Sequence, residues 1–502
     1  ALLLNLKEEG KSYDPQLAND STAEIVDSLI GETLIREGED GQGVPGVAEK
    51  WEASKDGLVW TFHLRKNAKW SNGDPITAND FRAGWLRALN PNTAAEYASK
   101  LFPIKNAEAY NKGQVKEDAV GIQAVDNYTL KVTLGAPLPY FDSAVRLYTY
   151  LPVNTKFLKE VGDKYMTSPK DSISSGAYVI KSWTKDSEIV FEKNPNYWNK
   201  DNIPLETVKI KFVADEAALN AFKNNEIDIT NITTEQAKEY ANDKRLRVAK
   251  DGSVWYMTYN MKNKVLANKK IRQALSLAID RKNLVSNVLN GSGIVASGVV
   301  SEGTKGENDD FRKEVGDLYA QYKNVNVKAL FDEGLKEEGL TPDKVHLTLT
   351  VDEKGTGKRE AEFYQSQWKE KLGIDVQVEV LTYKERLSRG KEGNFEIIRS
   401  VWGPDYADAM TYLEIFASNG LNIAKNKNPE YDKLIEEGKV ITDNGKRMQT
   451  LEKAEKVLAN DFVYSGLYYE LAMYLVDPKI ENVTLRAVGS KINFNKADVK
   501  SK

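Results

Sequence analysis

A turn in the stretch SVWGPDYADAMTYL (400–413) places an acidic side chain between two aromatic ones. The glycine and proline of this turn would hold Trp402, Asp405 and Tyr406 at a surface or in a cleft. A carboxylate beside aromatic rings can hold a cationic amine. Aspartate is also frequent in turns that bind no ligand, so the alternative is that Asp405 only shapes the turn. The stretch therefore predicts an amine-binding site, with a purely structural turn as the competing interpretation.

Arg399 lies directly before this turn and follows the apolar run FEII. An arginine at the end of a strand can present two parallel N–H donors to a carboxylate. An exposed strand end without any ligand fits the sequence equally well. The sequence thus offers a candidate carboxylate-binding group beside the candidate amine-binding group.

Other kinds of chemistry find little support in the composition. The chain has no cysteine and only two histidines, His63 and His346, which excludes thiolate sites and disfavours a zinc site or a Ser-His-Asp triad. The glycine-rich pieces GQGVPG (41–46) and GTGKRE (355–360) match neither a phosphate loop nor a dinucleotide fingerprint. We therefore predict no metal and no cofactor.

Two aspartates resemble catalytic carboxylates only superficially. Asp74 belongs to an NGDP turn, and Thr77 can cap a helix that contains Asp80. His63 alternates with apolar strand residues, which indicates a structural role. No other carboxylate pair stands out, so the sequence gives no argument for a glycosidase. We predict a protein that is not an enzyme.

The overall composition bounds the partners and the size. A length of 502 residues predicts about three lobes. A net charge of −4 offers no basic excess for a phosphate backbone, so we expect no nucleic-acid partner. No apolar run reaches the roughly 18 residues that span a bilayer. The first residues, ALLLNLKEEG, lack the features of a signal peptide, so we expect any export or anchoring segment to lie outside this sequence.

Strand-like and helix-like patterns alternate along the chain. The segment VWTFHLR (59–65) alternates apolar and polar residues, as a half-buried strand does. Helical spacing runs over 268–289, with Asn268 as a candidate N-cap, and over 360–373, where Gly373 ends the pattern. This alternation predicts an α/β fold. Because no long linker separates the lobes, we expect crossing strands to act as hinges.

The chain has 9 tryptophans and 24 tyrosines. Many of them cluster in three stretches that resemble loops, 253–260, 400–413 and 465–475. Aromatic side chains provide contact area at low entropic cost and tolerate varied ligands. Ordinary packing in a core is the alternative for each of them. The clusters favour a binding surface without deciding which ring contributes to it.

Taken in order, six segments resemble the oligopeptide-binding family, the large three-lobed solute receptors of peptide ABC importers. The resemblance runs from about Tyr13 to Val483, nearly the full chain. The six segments are 45–81, 174–198, 224–229, 268–285, 428–438 and 465–470. One such segment would be weak support, but six in order are specific for the family.

The resemblance implies a periplasmic-binding-protein-like fold. Two α/β lobes close over a cleft, an extra lobe is inserted in the first, and the chain crosses between lobes near Val254–Met261 and near Tyr468–Leu475. The expected divisions are lobe I at 1–32, 160–265 and 472–502, lobe II at 33–159, and lobe III at 266–471.

The resemblance also implies how an extended peptide is held. Asp405 matches an aspartate that takes the α-amino group, and the main chain from Val401 to Gly403 pairs with the peptide like an added strand. Arg399, and more loosely Arg389, match a basic residue that can meet the C-terminal carboxylate. The peptide-binding residues expected in full are Asn19, Asp20, Ser21, Tyr97, Val254, Trp255, Tyr256, Arg389, Arg399, Val401, Trp402, Gly403, Asp405, Tyr406, Tyr468 and Tyr469.

The chain departs from the family pattern at two places. Gly403 and Pro404 stand where relatives often have Cys-Ala, and the proline removes one N–H donor. The glycine-rich region around Gly357 has no counterpart of a cleft histidine that some relatives carry. These departures leave the preferred peptide length open.

The function implied is capture of short peptides outside the cytoplasm and delivery to the membrane permease of an ABC importer. We expect a monomer, either free in the periplasm or anchored as a lipoprotein. A receptor of the same fold for a signalling peptide, a nickel chelate, haem or a sugar is the first alternative. A hydrolase, and more remotely a chaperone or adhesin, are the others. Asp405 with its aromatic neighbours favours a peptide.

Overall fold

A computed structural model describes residues 1–486 and 491–500 of the chain. The strands are β1 Leu2–Asn5, β2 Ile35–Glu37, β3 Gly43–Pro45, β4 Ala48–Ala53, β5 Val59–Leu64, β6 Ile122–Asp126, β7 Thr129–Thr133, β8 Tyr178–Thr184, β9 Glu188–Lys193, β10 Thr207–Lys211, β11 Ile229–Asn231, β12 Leu246–Tyr259, β13 Gly293–Val295, β14 Leu347–Asp352, β15 Val376–Leu381, β16 Ile397–Trp402, β17 Tyr464–Val476, β18 Ile480–Glu481, β19 Thr484–Leu485, β20 Ile492–Asn493 and β21 Asp498–Val499. The helices are α1 Ser21–Ile30, α2 Ala78–Leu89, α3 Ala107–Asn111, α4 Phe141–Ala144, α5 Thr155–Val161, α6 Asp215–Lys223, α7 Thr234–Glu239, α8 Lys269–Leu277, α9 Arg281–Asn283, α10 Phe311–Val315, α11 Val327–Glu337, α12 Gly357–Leu372, α13 Tyr383–Glu392, α14 Met410–Leu413, α15 Pro429–Val440 and α16 Asn444–Asp461. The predicted α/β class is confirmed.

The chain forms two compact units. Unit 1 comprises Ala1–Ile232, Asp243–Arg247 and the described residues from Tyr474 onward, and unit 2 comprises Thr233–Asn242 and Val248–Met473. Strands β12 and β17 both contain a point where the chain passes from one unit to the other. The segment 33–159, expected as an inserted lobe, falls within unit 1, and the three-lobed division stays a prediction.

Unit 1 contains two sheets of four or more strands. The larger has the order β11-β1-β10-β9-β8, in which β1 is parallel to both β10 and β11. The smaller is antiparallel, with the order β4-β5-β7-β6. In β5 the side chains of Trp60, Phe62 and Leu64 are buried while their neighbours are less so, as the period of two predicts. Thr77 and Asp80 form a capping box at the start of α2, so their predicted structural role is confirmed.

Unit 2 is built on the order β15-β14-β16-β12, with β14 parallel to both neighbours and β16 antiparallel to β12. Helix α12 packs on this sheet through a core that includes Tyr364 and Trp368. The helix ends at Gly373, whose φ of +71° is the left-handed conformation that favours glycine, as predicted. Asn268 caps α8 through its side chain, also as predicted.

Two sequence expectations were wrong. The helix expected over 268–289 breaks after α8, because the side chain of Asp280 accepts a hydrogen bond from the backbone N–H of Asn283 and starts a new helix. The aromatic stretches 253–260 and 465–475, interpreted as loops, lie almost entirely in β12 and β17. Strands covered on both faces lose the alternation that identifies a strand in a sequence.

Helix α1 carries a carboxyl group that the sequence did not single out. Asp27 is 1% exposed, and neither of its oxygens has a hydrogen-bond partner in the part of the chain that the structure describes. Burial, and then repulsion from Asp14, Asp20 and Glu24, raises the pKa of Asp27 well above its ordinary value. Burial also raises the pKa of Glu24, to about 7. Asp27 is therefore costly to ionise in the folded state.

Replacing Asp27 by Asn should stabilise the protein at pH 7, by about 1–2 kcal/mol. Below the unfolded-state pKa of Asp27, about 3.9, the carboxyl group is protonated in both states and the folded state keeps its full stability. As the pH rises from there toward the folded-state pKa, the unfolded state ionises first, so the folded state loses stability. The melting temperature of Asp27→Asn should exceed that of the wild type most at high pH and converge with it near pH 4. The matched control is Asp14→Asn, which should destabilise because Asp14 accepts two hydrogen bonds of 2.6 Å from Arg87. A melting temperature of Asp27→Asn below that of the wild type at pH 7 would contradict this account.

Candidate functional site

Strand β16 presents a free edge beside the predicted amine site. On one side it pairs with β12, which sets Val254 opposite Trp402 and Trp255 opposite Val401. On the other side, among the described residues, β14 pairs with β16 only at positions 397 and 398. Val401 and Trp402, the last two residues of β16, are half-buried and have no strand pairing on that side among the described residues, so this end of the edge is open to an added strand.

The turn after β16 is held by a buried threonine. The hydroxyl of Thr411 accepts hydrogen bonds from the indole N–H of Trp402 and from the backbone N–H of Asp405, each 3.2 Å long. Trp402 and Tyr406 are half-buried, whereas Asp405 is exposed. The structure therefore brings the three predicted residues together on one turn, with the carboxylate outermost.

Three carboxyl groups lie in or near this turn, those of Asp405, Asp408 and Glu414. Glu414 has a pKa raised first by burial and also by repulsion from Asp405 and Asp408, so the three carboxyl groups lie close enough to interact. Arg447 neutralises Asp408 by donating two hydrogen bonds, one of 2.9 Å, and both side chains are buried. Of these three carboxyl groups Asp405 is the exposed one, and an exposed carboxylate can attract a cationic group such as an amine.

Arg399 lies inside unit 2 and not at an exposed strand end. It is 1% exposed, and its guanidinium carbon lies 3.7 Å from the centre of the Trp255 ring. Its Nε donates to Glu360 Oε1 at 2.9 Å, and its Nη2 donates to Glu360 Oε2. Burial lowers the pKa of Arg399, but the attraction of Glu360 outweighs it and the net shift is upward.

Glu360 accepts three further hydrogen bonds. Their donors are the hydroxyls of Tyr364 at 2.8 Å, Tyr468 at 2.9 Å and Thr356. Burial, followed by repulsion from Glu360, raises the pKa of both tyrosines, which remain neutral donors. We call Arg399, Glu360, Tyr364, Tyr468 and Thr356 the Arg399 cluster.

The predicted residues of unit 1 also come together. Tyr97 donates to the backbone carbonyl of Asn19 at 3.3 Å, although the two are far apart in the sequence. Asp20 is the N-cap of α1, accepting from the backbone N–H of Ala23 at 2.8 Å, and Ser21 is the first residue of that helix. Their role at a ligand stays a prediction.

Three predicted residues have partners elsewhere. Arg389 lies in the last turn of α13 and contacts Glu379 and the carbonyl of Asn394, neither of which belongs to the Arg399 cluster. Tyr256 packs edge-on against Phe416, with 5.2 Å between ring centres. Tyr469 is buried and donates to the carbonyl of Gly298 at 2.7 Å. All three residues have these partners within unit 2, and direct contact with a ligand stays a prediction.

Over residues 1–486 and 491–500, no helix combines the length and apolar character needed to cross a membrane. Throughout the described part of the chain, no group of three or more His, Cys, Asp or Glu is arranged to hold a metal ion.

Comparison with known proteins decides the family. Residues 42–422 match the family described as bacterial extracellular solute-binding proteins, family 5. The chain belongs to this family. The family 5 match spans most of the chain and includes the turn after β16 and the Arg399 cluster except Tyr468. The predicted membership in a family of solute receptors is confirmed.

Relatives of this family 5 protein include peptide receptors. The oligopeptide-binding protein OppA of Bacillus subtilis is 33% identical over 504 residues, covering 97% of this chain and 91% of the relative. The substrate-binding domain of an oligopeptide ABC transporter from Bacillus anthracis is 32% identical with a TM-score of 0.75, covering 99% and 98% of the two chains. Listeria monocytogenes OppA bound to peptide is 31% identical with a TM-score of 0.75, covering 100% and 99%. The periplasmic-binding-protein-like fold is confirmed.

Glu360, the acidic half of the Arg399 cluster, was not predicted from the sequence. Glu360 lies one turn before Tyr364 and two turns before Trp368, on the stripe of α12 that faces the core. A glutamate at that spacing from two buried aromatic residues was a usable signal. This spacing indicates that the carboxylate of Glu360 is buried in this solute-binding protein, and a buried carboxylate requires a cationic partner.

Proposed function

We propose that this chain is an extracytoplasmic receptor that captures short peptides and delivers them to the permease of an ABC importer. The observation that carries the proposal is the free edge of β16 next to the exposed Asp405. An added strand pairs through main-chain groups, which every peptide has whatever its sequence. Asp405 supplies a fixed partner for the α-amino group, which is also common to unblocked peptides.

The proposal extends to the remaining predicted features. Asn19 to Ser21 and Tyr97 would contact the ligand, and Val401 to Gly403 would pair with its main chain. The receptor acts as a monomer, free in the periplasm or held by a lipid anchor, without turning its ligand over. Support comes from the family, described as extracellular solute-binding proteins, and from relatives named for peptides. No cofactor enters this function.

A mixture of peptides of two to ten residues should raise the melting temperature of ligand-free protein. A ligand at about 100 times its Kd stabilises the folded state by about 2.7 kcal/mol. Differential scanning fluorimetry after unfolding and refolding, which removes ligand carried through purification, measures the effect. The matched controls are free amino acids, nickel ions and sugars, which should give no shift. A shift with nickel or a sugar and none with any peptide would contradict the proposal.

A further inference from the structure

We infer that Glu360 determines the specificity of this receptor. By holding Arg399 it leaves the C-terminal carboxylate of a ligand without an ionic partner, so that binding does not require a free C-terminus. The inference rests on the proposed peptide function and concerns which peptides the site accepts. It departs from the expectation that Arg399 meets the C-terminal carboxylate.

The two parallel N–H donors of Arg399 are already occupied. A guanidinium binds a carboxylate best through two parallel N–H donors, which point in a fixed direction. In Arg399 these donors are Nε and Nη2, and both point at Glu360. Side-chain exposure is 1% for Arg399 and 0% for Glu360, so neither charge is open to solvent.

Glu360 is fixed in place by its hydrogen bonds. Its oxygens accept from Tyr364 and Tyr468 at 2.8 and 2.9 Å and from Thr356, in addition to both bonds from Arg399. Five donors fill the roughly four lone-pair positions of a carboxylate, so rotating Glu360 away would break several buried bonds. A ligand carboxylate would therefore meet an ion pair without net charge and a second anion beside it. Like charges repel strongly where water is excluded.

One nitrogen of the Arg399 guanidinium, Nη1, remains, and it carries two N–H donors. Arg399 Nη1 is buried and has no hydrogen-bond partner among the described residues. It lies next to Gly357, where an added Cβ would come within 3.5 Å of Nη1 and 2.0 Å of the carbonyl oxygen of Asp352. Because Glu360 already neutralises the charge of the guanidinium, these two N–H donors suit a neutral acceptor, such as a main-chain carbonyl of a peptide. The chemistry of the cluster thus fits a peptide that continues past this point, or one whose C-terminus is blocked.

The test compares pairs of peptides that differ only in a free or an amidated C-terminus, at lengths from three to six residues. Isothermal titration calorimetry gives the affinity ratio for each pair. For the wild type we expect the two forms to bind within about threefold of each other at every length. Glu360→Gln frees the guanidinium, and the free acid of at least one length should then bind about tenfold or more tightly than its amide.

The matched control is Glu455→Gln. This variant removes the negative charge of another buried glutamate of unit 2, which forms an ion pair with the buried Arg312. This variant should keep the wild-type ratio even if it loses stability. A wild-type protein that prefers free acids about tenfold at any length would overturn the inference by itself, whether or not Glu360→Gln folds. If the wild type bound neither the free acid nor the amide at any length, the proposed peptide function would be overturned as well. The two results differ, so a wrong inference about Glu360 can be distinguished from a wrong function.

Discussion

The variant Asp405→Asn should bind peptides with a free α-amino group about 30-fold or more weakly than the wild type. Removing one partner of a charge pair that is desolvated on binding costs about 2–5 kcal/mol, and 1.4 kcal/mol corresponds to tenfold in affinity. Asp405 is exposed in the structure and flanked by Trp402 and Tyr406, so a bound peptide can exclude water from the pair. Titration calorimetry with one peptide of defined sequence measures the loss.

Acetylation of the same peptide separates an amine contact from a general defect. The acetylated peptide should bind the wild type weakly and should lose little more with Asp405→Asn. Asp375→Asn is the control, because Asp375 is an exposed acid of unit 2 whose ion pair with Lys369 is also on the surface. Equal binding of both peptides by the wild type and by Asp405→Asn would show that Asp405 is not the amine partner.

The variant Arg447→Met should unfold about 3–5 kcal/mol more easily than the wild type. Arg447 is 2% exposed and pairs with Asp408, which is also buried and which accepts a 3.0 Å hydrogen bond from the backbone N–H of Met410. Removing the arginine leaves a buried carboxylate without its cationic partner, and this is more costly than losing a surface pair. Urea denaturation followed by tryptophan fluorescence measures the loss.

The neighbouring Lys446→Met is the matched control, since Lys446 is exposed and should change the stability by less than about 0.5 kcal/mol. Replacing both members of the pair, as in Arg447→Met with Asp408→Leu, should recover part of the loss because no unpaired charge remains. A loss for Arg447→Met as small as that for Lys446→Met would contradict the assignment of a structural ion pair.

Much of the fold could be predicted from local patterns. Interactions within a few residues determine several features that were predicted correctly. These are the strand β5, the N-caps Thr77 and Asn268, and Gly373 at the C-terminal end of α12. The long strands β12 and β17 were missed because both faces are covered and the apolar pattern no longer alternates. The break in the helix after α8 depends on a capping side chain that competes with helix continuation.

The candidate site was predicted only in part. The turn with Trp402, Asp405 and Tyr406 lies within a few residues, so its composition alone indicated an amine site. Glu360 was missed because its partner Arg399 is 39 positions away, and only the tertiary structure brings the two together. The burial that gives Arg399 its role is likewise a property of the packed sheet and not of the sequence around it.

The central claim, that the chain is a peptide receptor, is tested most directly by native mass spectrometry. Refolded, ligand-free protein would be mixed with equal amounts of free and N-acetylated di- to decapeptides, nickel ions, haem and sugars, and the bound ligand would be released and identified. We predict a monomer carrying one peptide, with many sequences represented and with unblocked N-termini in excess over acetylated ones. A protein that emerges without any peptide, or that carries nickel, haem or a sugar instead, would contradict the account.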